Sequence, residues 1–225
     1  TFDIVMLGKL AQELERARAQ TTESAKARAE TIHRSAIEIY ERCRAVLLSL
    51  EGIDSTTLSL KDPPDSELVK EVASLGEAVK DLRVAVFQAA YDLLNGEGRI
   101  LSELEGMPVP DEQEAREALR LAITTIRVAY WFSKNVAGGN LISGYNDLVP
   151  FDTADLEIFF LAGLLENSGV WSGQGLAGHE ARSAQVVKLL RVHGCDLPEG
   201  LADLILHHSQ MWASRFVYRS ECVVR

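Results

Sequence analysis

Residues 32–50 read IHRSAIEIYERCRAVLLSL, and the apolar or small side chains Ile32, Ala36, Ile39, Cys43, Val46 and Leu50 recur in it by alternating steps of four and three. That spacing returns to one side of an α-helix at every turn and is the seam of a helix that packs lengthwise on another, in coiled-coil fashion. A strand would alternate by two, and this seam does not. Upstream, residues 4–50 contain no Pro and a single Gly, Gly8, while Ala, Glu, Arg, Leu and Gln dominate. One helix of about twelve turns is the reading, with a break allowed near Thr21 and Thr22. Its first half repeats the seam in another phase, at Leu7, Leu10, Leu14 and Ala17; residues 15–30 offer alanines, threonines and charges, with Gln20 and Ser24 besides. An alanine-rich stripe this narrow does not stabilise a helix alone, so it calls for a neighbouring helix or a second copy of the chain.

Working outward, Asp62-Pro-Pro-Asp65 stops any helix, and Asp65 or Ser66 is placed to cap the next. Residues 66–95 carry Leu68, Val69, Val72, Leu75, Val79, Leu82, Val86, Ala89 and Leu93 at helical spacing, and Gly96 and Gly98 end them. Ile100 to Glu105 make a short connector. After Met107-Pro-Val-Pro110, Asp111 is read as the cap of a third long helix through Ala115, Leu119, Ala122, Ile123, Ile126, Ala129, Tyr130 and Phe132. Residues 140–151 carry turn chemistry and form either the boundary or a packed irregular connection. Beyond it Asp152 or Thr153 caps a nearly all-apolar helix through Leu165, which its surroundings must cover on most sides. A glycine-rich loop over 168–178, a helix from His179 to His193 closed by Gly194, and a last helix from Pro198 to Val224 complete the chain. No alternating strand pattern exceeds four residues. The fold class is therefore all-α: long antiparallel helices in a bundle of partly coiled-coil character over residues 1–137, and a compact set of shorter helices over 138–225 packed on it, the two forming either one domain or two.

A chain of 225 residues is long enough to bury a substantial core, and 47% hydrophobic with 25% charged residues is an ordinary globular composition. The longest apolar run, Ile158 to Leu165, is far short of a bilayer span. The chain begins at Thr1, as a trimmed or processed chain would. A net charge of −10 disfavours bulk nucleic-acid binding, which depends on neutralising many phosphates. Residues 51–105 hold most of the excess, with twelve acidic and five basic side chains. Cys43, Cys195 and Cys222 are odd in number and have no metal spacing, as expected of reduced thiols in a cytoplasmic protein, with a single Cys195–Cys222 bridge as the alternative.

Several local patterns carry candidate chemistry. Gly173, Gly175 and Gly178 stand at dinucleotide-loop spacing before a helix, yet no hydrophobic strand precedes them, as that fingerprint requires. What remains is a loop rich in backbone N–H groups that could hold an anion beside Trp171, His179 and Arg182. Asp203 and His207 lie one helical turn apart. With His179, Glu180, His193 and Asp196 they make a possible acid–base or cation set, although no metal site is assigned. Glu30 and His33 have di-iron spacing, but no second such pair exists. Arg28 and His33 have the spacing of helical ribonucleases of the HEPN type, a match that short motifs produce by chance. Val186 to Asp196 resembles the second helix and turn of an ankyrin repeat over about eleven residues; no neighbouring copy exists, and nothing is carried over from it.

Two aromatic groups, Tyr130 and Trp131 on the third long helix and Trp212 and Phe216 beside Arg215 and Arg219 at the end, are candidate interface residues. The leading functional reading is a non-catalytic assembly or adaptor module that binds a protein partner or itself, with no cofactor and no catalytic residue assigned. The alternative is a small ligand-, anion- or metal-binding helical enzyme built on the Gly173–Gly178 loop and the C-terminal histidines.

Overall fold

A computed structural model describes residues 4–50, 66–137, 149–171, 173 and 177–207, with side chains placed for all of these except 4–14, 17–20, 66, 67 and 137. Every regular element among the described residues is helical. Seven α-helices, α1 (Ile4–Leu50), α2 (Ser66–Leu94), α3 (Arg99–Glu105), α4 (Gln113–Ala137), α5 (Thr153–Leu165), α6 (His179–Val192) and α7 (Leu201–Leu206), are joined by one 3₁₀ turn, Ser168–Val170.

The seam that opens the sequence is buried: Ile32, Ala36, Ile39, Cys43 and Val46 face the interior, and Leu50 packs against it half-covered. Their partner is α2, through Leu68, Val72, Leu75, Val79, Leu82, Val86, Ala89 and Leu93. The pairing is antiparallel. Arg28 on α1 meets Asp92 on α2, 2.5 Å apart. A parallel pair would leave Leu50 and Ser66 about 70 Å apart, beyond the roughly 50 Å that residues 51–65 can span. No break interrupts α1 at Thr21 and Thr22: alanines and long polar side chains hold a helix well enough to carry two threonines, and Thr22 accepts from Arg99 of α3.

The third long helix departs from the expected bundle. α4 packs chiefly on α5 and only lightly on α1 and α2. Ser133 donates to the Phe151 carbonyl at one end of the α4/α5 pair, and Gly163 meets Ala122 and Thr125 nearer the other, so these two helices are also antiparallel. The reason is α5 itself. With Leu156, Phe160, Leu161, Leu164 and Leu165 all buried, it needs cover on several sides, and α4, α2 and α7 supply it. The molecule is thus two antiparallel helix pairs, α1/α2 and α4/α5, with α3 laid against α1 and the α6/α7 pair closing the far side. One contiguous core runs from Ala29 on α1 to Ile205 on α7. The boundary expected at residue 138 falls outside the described residues.

Helix starts follow local chemistry, with corrections. Asp152 caps α5 as expected, its carboxylate accepting from the Asp155 N–H while Asp155 accepts from the Asp152 N–H, a reciprocal capping box. The helix that Asp111 was expected to cap begins at Gln113, one residue later than that cap implies, and the Arg116 guanidinium folds back to donate to the carbonyls of Pro110 and Asp111. The helix expected from Pro198 begins at Leu201. Gly200 takes a left-handed φ of 83°, and the Leu201 N–H closes a turn onto the Pro198 carbonyl. Residues beyond 207 lie outside the described region.

Candidate functional site

The dispersed C-terminal candidates do not form one site. His179 opens α6 and His193 follows its last residue, so they stand about 20 Å apart along the helix. His179 is buried, with Nδ1 3.2 Å from the Glu180 carboxylate. His193, Asp203 and His207 are exposed, and Asp203 and His207 are joined through the backbone, the His207 N–H donating to the Asp203 carbonyl. Among the described residues no three His, Cys, Asp or Glu side chains are grouped to hold a metal.

The glycine loop is stitched to α6 by its own side chains. Gly173 and Gly178 both adopt left-handed backbone, at φ 85° and 68°, and Gly175 lies outside the described residues. Arg182, a candidate anion ligand, donates from Nε to the Gly169 carbonyl and from Nη1 to that of Ala177, each at 2.8 Å. Its charge therefore sits on carbonyl oxygens that tie the loop down. Ser183 continues the stitching: the Gly169 N–H donates to its Oγ at 2.7 Å, and the hydroxyl donates to the Glu166 carbonyl at 3.0 Å. Trp171 is buried with its ring edge-on to Tyr40 of α1, centroids 5.0 Å apart, and so couples this turn to the first hairpin.

Arg28 and His33 point apart on α1. Arg28 faces Asp92 of α2, while His33 Nε2 donates to the Pro108 carbonyl at 2.7 Å. The shared face that ribonuclease chemistry needs is absent, and Glu30 gains no metal partner among the described residues.

The aromatic candidates divide. Phe132 packs against Phe151, which packs in turn on Phe159. Tyr130 is half-buried, with the Lys134 ammonium 5.9 Å from its ring centre. Trp131 is 59% exposed beside the exposed Val128. Trp212, Arg215, Phe216 and Arg219 lie outside the described residues.

The most extensive candidate surface is one the sequence reading missed. On the outside of α2, Val84, Phe87, Tyr91 and Leu94 are 70, 47, 55 and 36% exposed. They recur by three, four and three residues and so form a single stripe, with the uncharged Gln88 and Asn95 beside it. The signal was available: α2 carries two apolar rows, and the stronger one, Leu82, Val86, Ala89 and Leu93, drew the eye to the core.

Beside this stripe an open depression of about 820 Å³ lies along α1 and α2, lined in part by Arg28, Thr31, Ser35 and Gln88. Small-molecule sites enclose their ligands between largely apolar walls, whereas this groove is open and set with the charges of Arg34, Glu38, Lys80 and Asp81. A second missed pair sets the half-buried Arg83 on α2 against the buried Glu157 on α5. Its signal was Glu157, a carboxylate placed after the capping Asp155 in a helix otherwise almost wholly apolar.

Two described thiols are free, Cys43 and Cys195. Burial pushes the Cys43 thiol well above its usual range, and burial does the same less completely for Cys195, against the opposing pull of Arg83. Both are therefore poor nucleophiles at neutral pH. No family model, curated protein or solved structure matches this chain.

Proposed function

We propose that the chain is a non-catalytic helical assembly module, presenting helix faces to another protein or to a second copy of itself. The observation that carries the reading is the α2 stripe: three turns of helix whose outward positions are Val84, Phe87, Gln88, Tyr91, Leu94 and Asn95, apolar or uncharged on a chain of net charge −10. Contiguous apolar surface with no charge inside it is expensive to leave in water and is characteristic of interaction faces. The exposed Trp131 and Val128 on α4 offer a second such face. A cytoplasmic setting belongs to the same proposal, and thiols at Cys43 and Cys195 are compatible with it.

Light scattering across a concentration series, together with a thermal-shift screen against nucleotides, phosphate, sulfate and divalent cations, tests this reading. Mass rising with concentration, or a partner protein whose binding is lost on Phe87→Glu, is the expected result. A small molecule that raises the melting temperature by several degrees, with no protein–protein association, would replace the module by the ligand-binding alternative.

A further inference from the structure

No acidic residue stands between Glu117 and Asp147, the longest such gap in a chain that carries 33 of them. The only charges within residues 118–137 of α4 are Arg120, Arg127 and Lys134, each seven residues from the next. Thr124 and Trp131 stand between them, so the five positions step along the helix by four, three, four and three. That is the spacing of a helix-packing seam. All five are exposed, with Val128 beside them, while Ala122, Ile126 and Ala129 on the other side of α4 are buried. The inner seam of α4 is thus already covered, and this outer one faces water.

The acids around the row leave it basic. Glu112 and Glu114 precede it and lie close enough to Tyr40 of α1 to raise that hydroxyl. Glu117, one turn before Arg120, accepts from Gln113 at 2.8 Å. Asp152 and Asp155, past the other end, cap α5 for each other. Glu105 of α3 pairs with Arg127, but both side chains are about half exposed, 48 and 47%, so the pair contributes little and the guanidinium keeps N–H groups for a second carboxylate. Arg120 and Lys134 form no ion pair with a described residue, Lys134 having only the Tyr130 ring 5.9 Å away.

We propose that this outer seam of α4 binds an acidic helix of another protein, laid lengthwise, whose carboxylates recur at every seventh residue. They meet Arg120, Arg127 and Lys134, and an apolar side chain between them covers Trp131 and Val128. The inference rests on the assembly-module reading and names the chemistry of the partner. Trp and Arg together are the side chains on which protein contacts most depend. One cation about every 10 Å matches a helix that offers one carboxylate per two turns, and is far too sparse for the phosphates of a nucleic acid. A lipid surface is disfavoured because it needs the apolar side of a helix, which α4 has spent on the core. No described helix of this chain carries three acids seven residues apart, so a second copy does not supply the complement.

The test is fluorescence anisotropy at low salt with the full chain and a labelled alanine-based helical peptide of about 24 residues, bearing Glu at every seventh position and Leu between. Arg120→Glu, Lys134→Glu and Trp131→Ala, all at exposed positions and checked for folding by circular dichroism, are each expected to weaken binding about tenfold. A peptide of the same composition with its glutamates out of heptad spacing is expected to bind about tenfold more weakly than the first. No binding at about 1 mM peptide, equal binding of the two peptides, or binding indifferent to the three substitutions overturns the inference. Oligodeoxythymidine or phosphatidylserine vesicles bound more tightly than the peptide, and released by the same substitutions, overturn it too and give the seam to that ligand. In each of these cases, association that Phe87→Glu abolishes leaves the assembly reading standing.

Discussion

Arg83 on α2 donates its Nε–H to the carboxylate of Glu157 on α5, a side chain only 5% exposed. The same guanidinium reaches Asp196, 3.7 Å away in the connection between α6 and α7. One cation therefore ties the first helix pair to the second and to the C-terminal helices, and it neutralises a carboxylate that packing has taken out of water. Removing it leaves Glu157 buried and uncompensated. Arg83→Met is expected to destabilise the fold by about 3 kcal/mol in urea unfolding, and adding Glu157→Leu should recover most of that loss. If the two losses simply added, the pair would not be coupled in this way.

Close helix packing gives a second prediction. A Cβ on Gly163 would come within 2.8 Å of Thr125 Oγ1 and 2.9 Å of the Ala122 Cα, which belongs to rigid helix backbone. Gly163→Ala is expected to force α4 and α5 apart at a cost of about 1–3 kcal/mol, read as a fall in melting temperature of roughly 2–12 °C. Gly169→Ala should be worse, since its Cβ would collide with the His179 carbonyl where the 3₁₀ turn meets α6. Gly98→Ala, with open space around the new atom, is the control.

Ser168 is fully buried and its hydroxyl has no hydrogen-bond partner among the described residues. A buried polar atom left unpaired costs free energy that an apolar group of similar size does not. Ser168→Ala is accordingly expected to raise stability by about 1 kcal/mol. A drop in melting temperature would show that the hydroxyl is satisfied in solution.

Alkaline pH should unfold the chain earlier than its composition suggests. Burial raises the Cys43 thiol above its ordinary value of 9.0, and the Cys195 thiol and Tyr40 hydroxyl are raised too, Tyr40 by burial first and by Glu114 next. In the unfolded chain these groups release protons at their ordinary values, so the unfolded state is favoured as pH climbs. Stability from the raised groups is fully present below about pH 9 and declines above it, by roughly 1.4 kcal/mol per pH unit for each group that has begun to titrate when unfolded. Urea midpoints measured from pH 7 to 10.5 check this, and Cys43→Ala should flatten the slope.

Much of the architecture could be read from spacing alone. Ile32, Ala36, Ile39, Cys43 and Val46 share one side of a helix whatever that side meets, because 3.6 residues complete a turn; the residues from Leu68 to Leu93 do the same for α2. Gly96, Pro108, Asp152 and Gly194 mark where helices stop or start, since those are properties of φ and of a few backbone bonds. All of this is local, and local rules determined it. Which helix lies beside which is not local. The row on α4 fits α1 or α5 equally well on paper, and only the need to cover α5 on several sides decided for α5. Distance along the chain likewise concealed that Arg83 would meet Glu157, that Arg182 would spend its charge on two carbonyls, and that Trp171 would face Tyr40. The outer row of α2 became a surface for the same reason: periodicity marks a residue as apolar, but only packing in three dimensions determines which apolar row is covered and which is left facing water.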